Sequence, residues 1–263
     1  MKYVLVTGAS GGMGRAAVAA LSRKGWFVFA LDRALPEGGE RILPLTADVT
    51  SEESLALAKE AVAKVTPRLD AVVHLAGIYV LDSLVEMEEE KFRRAFDVNV
   101  FGVYRVNRAF LPLLGRGGRI VITSSELAPL DPLPFTGLYA VTKSTVEKYA
   151  YSLRMELGLL GISVAVLRPG AVDTGMLGVS TRELDRFVEK TELYSCNARR
   201  FKGIVERVEA RCVPPERVAE RVVKILSARR PKYVYKINRN PLLLLLDALP
   251  QRMQTRIIQR ILK

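Results

Sequence analysis

Short apolar runs alternate along the chain with longer segments in which apolar residues recur every three or four positions. The runs are KYVLVT from Lys2, WFVFALD from Trp26, ILPL from Ile42, DAVVHLA from Asp70, RIVITS from Arg119, ISVAVLR from Ile162 and a brief KYVY from Lys232. Most are nearly continuous in Val, Ile, Leu and Ala, as expected of parallel strands buried on both faces. Helical spacing predicts helices near residues 13–24, 51–65, 88–112, 138–159 and 215–228. The alternation predicts an α/β fold, a doubly wound parallel sheet with right-handed crossovers. One catalytic domain would cover residues 1–240. Within it, 175–214 is charged and irregular, and is expected to be a loop insertion serving as lid or substrate wall. Residues 241–263 form a helical tail.

Composition narrows the class. The chain has 263 residues, 49% hydrophobic, enough for a single core. No stretch approaches the roughly 18 apolar residues of a membrane span. The first apolar run is too short for a signal peptide and ends at once in a glycine turn. Cys196 and Cys212 make no metal spacing, so free thiols in a cytoplasmic protein are expected. The net charge of +12 points to nucleic acid until it is located: residues 229–263 hold nine bases and one acid, +8 of the total. No aromatic residues interleave the bases of the tail from Asn238 on, and the body carries only +4, which argues against a nucleic-acid partner.

The first strand leads into VTGASGGMGRAA. Gly8, Gly12 and Gly14 allow a tight turn, close approach of a pyrophosphate and close packing of helix on strand, and the helix start offers free N–H groups to an anion. The second strand ends in Asp32, placed to accept hydrogen bonds from a ribose 2′-hydroxyl and to repel a 2′-phosphate. Gly11 precedes Gly12, so no base stands there to hold a phosphate. Arg33 offers a guanidinium that could receive one, or that lies against the adenine. The balance favours NAD as cofactor, with NADP the less favoured alternative.

YAVTK opens the fourth predicted helix and puts Tyr139 one turn before Lys143. A phenol with pKa near 10 holds its proton too tightly to act as a base near neutral pH. A cation on the same helix face favours the phenolate.

With these motifs in place the chain resembles the classical short-chain dehydrogenases/reductases, over residues 3 to 228. TGASGGMG looks like the family's cofactor loop, ADVT its adenine-contacting pair, VNVFG its asparagine, VITSS its serine, YAVTK its Tyr-x-x-x-Lys and RPGAVDT its nicotinamide-side loop. The resemblance implies a Rossmann-type fold and catalysis by Asn99, Ser125, Tyr139 and Lys143. It implies cofactor contacts from Gly8, Ser10, Gly12, Met13, Gly14, Asp32, Asp48, Val49, Ala76, Gly77, Tyr139, Lys143, Pro169, Gly170, Val172 and Thr174. Ser125 would bond the substrate oxygen, Lys143 would also hold the nicotinamide ribose, and Asn99 would position a water for proton relay. No metal is implied. Two departures stand out. HLAG replaces the usual Asn-Asn-Ala-Gly, making His74 a strand-end histidine satisfied by backbone rather than a relay. Ser125 and Tyr139 are 14 apart instead of 13, which leaves Ser124 as a substitute.

Leu127, Leu130, Leu133, Pro134, Phe135, Met176, Leu177 and Val179 surround the expected site without a cluster of bases. They suggest an apolar alcohol or ketone, steroid-like, retinoid-like or long-chain, by analogy with the hydroxysteroid and retinol dehydrogenase branch. Tyr194, Phe187 and Phe201 of the insertion either close over the ligand or pack the insertion down. In the tail, Asn240 and Pro241 read as N-cap and first helical residue. Met253, Ile257 and Ile261 form one stripe beside Arg252, Arg256 and Arg260. Such a helix lies on an anionic membrane surface, covers the pocket or meets a second subunit of a homo-oligomer. A silent NAD(H)-binding scaffold and a membrane-surface interaction protein remain the alternatives from other classes.

Overall fold

The computed structural model describes the backbone of residues 1–209 and 211–263, and the side chains of 1–174, 183–207 and 211–263. Met176, Leu177 and Val179 lie outside the described side chains. Seven parallel strands form one sheet: β1 (Lys2–Thr7), β2 (Trp26–Asp32), β3 (Ile42–Thr46), β4 (Leu69–His74), β5 (Leu114–Thr123), β6 (Ser163–Pro169) and β7 (Val234–Ile237). Their order is β3-β2-β1-β4-β5-β6-β7. The winding direction reverses between β1 and β4, which opens a crevice at their carboxyl ends.

Alternate residues of each strand enter two separate cores, the reason the strands are apolar throughout. Leu5, Phe29, Ile120 and Val164 pack under α2 (Glu52–Val65), α4 (Gly102–Phe110) and α5 (Gly137–Leu159). Val4, Val28, Val121 and Leu167 pack under α1 (Gly12–Arg23) and α8 (Glu216–Ser227). These elements match the predicted doubly wound, single-domain α/β sheet.

Three expectations need correction. The helix expected over 88–112 is α3 (Glu89–Phe96), a π-turn (Asp97–Phe101), α4 and a single 3₁₀ turn (Leu111–Leu113). The periodicity continues through the π-turn, so the pattern alone does not reveal it. The insertion is not irregular: it contains α6 (Gly175–Lys190) and α7 (Ser195–Glu209). Leu184 and Phe187, then Phe201, Ile204 and Val205, recur at helical spacing under a charged outer face that hid them. Finally, β7 begins two residues later than KYVY suggests, because its register pairs Val234 with Val166.

The tail forms α9 (Pro241–Asp247) and α10 (Gln251–Leu262). Asn240 caps α9, its side chain accepting from Leu242 N–H at 3.0 Å. Leu262 and Ile258 join a third apolar cluster with Leu184, Phe187 and Phe201, and Asn197 Nδ2 donates to Leu262 O at 2.7 Å. The inward face of α10 is therefore Gln254, Ile258 and Leu262. Met253 and Ile261 of the expected stripe stay exposed.

Candidate active site

The crevice takes shape at the end of β1. Gly8 has φ +71°, and a Cβ there would lie 2.5 Å from Ala76 N. A Cβ on Gly12 would lie 2.8 Å from Thr174 Cβ, so the loop before α1 meets the loop after β6 without a gap. Gly11 caps α1 with no side chain, and no acid stands in its first turn. Its leading N–H groups therefore keep their affinity for an anion. Ser10 N–H donates to Asp32 Oδ2 at 2.9 Å, and Ser10 Oγ to Ala34 O at 2.9 Å. Ala34 N–H reaches Asp32 Oδ1 at 3.3 Å, which leaves lone pairs on both oxygens for a diol.

Asp48 turns its carboxylate back on Thr50, whose N–H and hydroxyl each donate at 2.8 Å. Burial pushes this carboxyl up, but the Thr50 bonds and the Arg33 and Arg94 charges outweigh it and hold the pKa below its usual value. Arg33 is exposed beside the Asp48 turn. Arg15, which sequence reasoning passed over, folds back on the Ser10 carbonyl. Val49 is buried and packs on Gly102. Gly14, closing the loop, is buried against Gly8 O.

At the other end of the crevice, α5 brings Tyr139 and Lys143 beside the end of β5. Ser125 Oγ accepts Leu127 N–H at 3.2 Å, and its hydroxyl lies on the same cavity wall as the Tyr139 phenol. Ser124 Oγ is spent on Lys143 O at 3.3 Å, which takes it away from Tyr139. The extra residue between Ser125 and Tyr139 is absorbed by successive turns closed by Ala128 N–H on Ser125 O and Leu130 N–H on Leu127 O.

Lys143 is buried, its Nζ donating to Thr123 O at 3.1 Å and standing 5.7 Å from the Tyr139 ring centroid. Burial lowers the ammonium pKa to about 8. Burial also raises the phenol to about 12, partly offset by the nearby Ser125 hydroxyl. Lys143 alone thus does not acidify the phenol as its spacing suggests: burial is the larger effect.

Asn99 sits on the π-turn. Its Oδ1 accepts Ile78 N–H at 2.8 Å, and its Nδ2 donates to Ile78 O at 2.9 Å and Thr142 Oγ1 at 3.2 Å. This side chain clamps the Gly77–Ile78 backbone, so its amide is not free to position a water. His74 is buried, its Nε2 2.8 Å from Asn107 Oδ1. Burial drives its pKa down to about 4 against the Asn107 bond. It is structural, satisfied by a side chain rather than by backbone.

A cavity of about 220 Å³ opens over these groups. Met13, Gly77, Lys143, Pro169, Gly170, Val172 and Thr174 line one part. Ser125, Tyr139, Leu127, Leu133, Phe201, Ile204, Val205 and Leu243 line the rest. Thr123 Oγ1, also lining it, is buried with no hydrogen-bond partner among the described residues. This orphaned hydroxyl, the buried lysine and the glycine-built approach fit a nicotinamide nucleotide. Leu130 borders a smaller cavity nearby, and Pro134 faces solvent. Phe135 is buried against Phe187, Tyr194 and Phe201 at 4.7, 5.4 and 5.3 Å between ring centroids. Phe187 and Tyr194 therefore pack the insertion down, while Phe201 also reaches the cavity.

Sequence reasoning missed Glu126, Ile204, Val205 and Leu243. Only their positions in the folded chain bring them to the site. Glu126 follows Ser125 and accepts Asn240 N–H on Oε2 at 2.7 Å. Burial raises its pKa, against that bond and the Arg239 charge.

The short chain dehydrogenase profile matches residues 2–185. A 3-ketodihydrosphingosine reductase of Bacteroides thetaiotaomicron is 28% identical over 90% of this chain and 87% of its own length. The estradiol 17-beta-dehydrogenase 2 of Mus musculus is 34% identical over 67% of this chain and 50% of its own. Among solved structures, a 3-ketoacyl-(acyl-carrier-protein) reductase from Brucella melitensis complexed with NADH superposes with TM-score 0.73 at 23% identity. That match covers 90% of this chain and 96% of that one.

Proposed function

The chain belongs to the short chain dehydrogenase family, and on that premise we propose that it moves a hydride between NAD(H) and the carbinol carbon of an apolar secondary alcohol or ketone. The observation that carries this is the pair of hydroxyls, Ser125 and Tyr139, both on the wall of a cavity that is otherwise largely apolar, with Lys143 buried beside them. Steroid-like, retinoid-like and long-chain substrates suit such a lining. The relatives named for a ketosphingoid base and a steroid add support to that range.

The bound nicotinamide supplies the hydride to the carbonyl carbon in reduction and accepts it in oxidation. Ser125 and Tyr139 both reach toward the substrate oxygen. In reduction Tyr139 gives up its O–H proton as that oxygen gains charge, and Ser125 donates a hydrogen bond to it. In oxidation the tyrosine takes the proton and must first be a phenolate. Lys143 would hold the nicotinamide ribose, and the oxidised ring's positive charge would bring the phenol down from its value in the protein alone. Asp32, open to a ribose diol, supports NAD over NADP.

Partner contacts follow from exposed apolar side chains. Leu242, Leu245, Met253 and Ile261 on the tail, beside Arg252, Arg256 and Arg260, support reversible contact with an anionic membrane surface. No described helix is long and apolar enough to cross a membrane. Phe101 on the π-turn and Tyr104 on α4, with Tyr151 and Met155 on α5, support a second copy of the chain as partner. Steady-state turnover of hydroxysteroids, retinoids and long-chain secondary alcohols, with NAD and with NADP, tests the activity.

A further inference from the structure

A second cavity, of about 480 Å³, adjoins the one over Tyr139. Glu126, Ala171, Ile204 and Asn240 border both. Pro241, Leu242 and Ile261 line its apolar side, and Arg207, Arg211 and Arg239 line the other. The three arginines come from α7, from the loop after it and from the segment between β7 and α9. A solvated charge run would put them on one element; here the fold gathers them around one cavity.

None of the three is in an ion pair among the described residues. Arg207 Nε donates to Gly203 O at 2.8 Å, which leaves its terminal nitrogens free of any bond among the described residues. Glu126, the one carboxylate in the lining, is turned to Asn240 N–H at 2.7 Å. Three guanidiniums against one carboxylate, Glu126, which the Arg239 charge already reaches, leave positive charge in excess, and an anion between them relieves that cost. This gathering also corrects the expectation that no cluster of bases stands near the site.

We infer that the second cavity binds the anionic head, carboxylate or phosphate, of an amphipathic substrate whose carbonyl stands at Tyr139 and whose apolar chain passes along Ile204. The inference rests on the proposed function for the identity of the reacting end. The anion site is tested without it. Calorimetry on the full-length protein loaded with NAD(H) would compare dodecyl phosphate, dodecanoate, 1-dodecanol and inorganic phosphate.

Both chain-bearing anions should bind about tenfold or more tighter than the alcohol and than inorganic phosphate. Added salt should narrow the gap, because the pairs are partly exposed. Replacing the three arginines together by glutamine should abolish it, replacement by lysine should keep most of it, and Tyr139→Phe should leave it unchanged. If the triple glutamine variant does not fold, Arg239→Gln alone should shrink the gap. Equal binding of dodecanol and dodecyl phosphate would overturn the inference, as would a gap that survives the glutamine variants. Inorganic phosphate binding as tightly as dodecyl phosphate would make this a free-anion site and overturn it too. A protein that turns over no ketone, yet shows the gap, would sink the oxidoreductase reading and leave the anion site standing.

Discussion

Tyr139 and Lys143 share one helix face, but their ionisation is governed by burial. With its pKa raised to about 12 by burial, the phenol stays protonated at neutral pH, as the proposed ketone reduction requires, and the proposed oxidation needs a positive charge beside it. The difference in ultraviolet absorption between wild type and Tyr139→Phe isolates this one phenol. Its ionisation should centre near pH 12 in the protein alone and move down when NAD⁺ is added; a transition near 10 that ignores NAD⁺ would contradict this balance. His74, the single histidine, gives a second test. It is neutral in the fold with pKa about 4, against 6.5 when unfolded. Between those values the unfolded chain binds more protons, so stability rises with pH there. That contribution is complete above pH 6.5 and lost as pH falls toward 4, on the order of 3 kcal/mol. Urea unfolding at stepped pH should show this slope in wild type and less of it in His74→Gln, whose amide can still donate to Asn107. An equal slope in both would place the acid sensitivity elsewhere.

The elements hold the site through a few cross-links that periodicity does not announce. Arg168 at the end of β6 meets Glu147 on α5 through two parallel bonds, Nε to Oε1 at 2.7 Å and Nη2 to Oε2 at 2.5 Å, with both side chains under 20% exposed. This pair sets the helix of Tyr139 against the strand that leads to Pro169. Glu147→Ala should cost about 3 kcal/mol, because it leaves a guanidinium largely buried without its partner. Chemical denaturation measures it, and a loss within experimental error would mean the pair is solvated. The strands and most helices were legible because burial on both sheet faces writes continuous apolar runs. That Tyr139 and Lys143 lie on one helix face was legible from their spacing on α5, whereas Ser125 was marked only by the family resemblance. The π-turn at Asn99 was not, since one wider turn barely changes the apolar period. The helices of the insertion were masked by their charged outer faces. Glu126, Ile204 and the three arginines of the second cavity depend on contacts between distant segments, which spacing cannot express.

At the scale of the whole molecule, the tail packs beside the site, and only its outer face is left for the proposed membrane contact. Leu243 lines the cavity and Leu262 is buried, while Asp247 Oδ1 accepts Asp131 N–H at 2.9 Å, so α9 and α10 are part of the wall around the site. Met253 stays exposed among the basic side chains, and Ile261, though it borders the second cavity, is also partly exposed. Each base near an anionic surface contributes roughly 1 kcal/mol, screened beyond a Debye length. Sedimentation with anionic vesicles should therefore carry down the full chain at low salt, release it at high salt, and carry down less of a chain ending at Asn240. Equal partitioning of the two would remove the membrane role. Loss of fold or turnover on truncation would show the wall role to be the larger one. The account as a whole rests on proton transfer by Tyr139 coupled to hydride transfer at the neighbouring nicotinamide. The most direct test is steady-state turnover of apolar secondary alcohols with NAD⁺, followed through the absorbance of the reduced cofactor, for wild type and Tyr139→Phe. Wild type should turn over, with NAD⁺ preferred to NADP⁺, and Tyr139→Phe should lose activity by about a hundredfold or more while keeping its cofactor affinity. A Tyr139→Phe variant that retains most of the wild-type rate would contradict it.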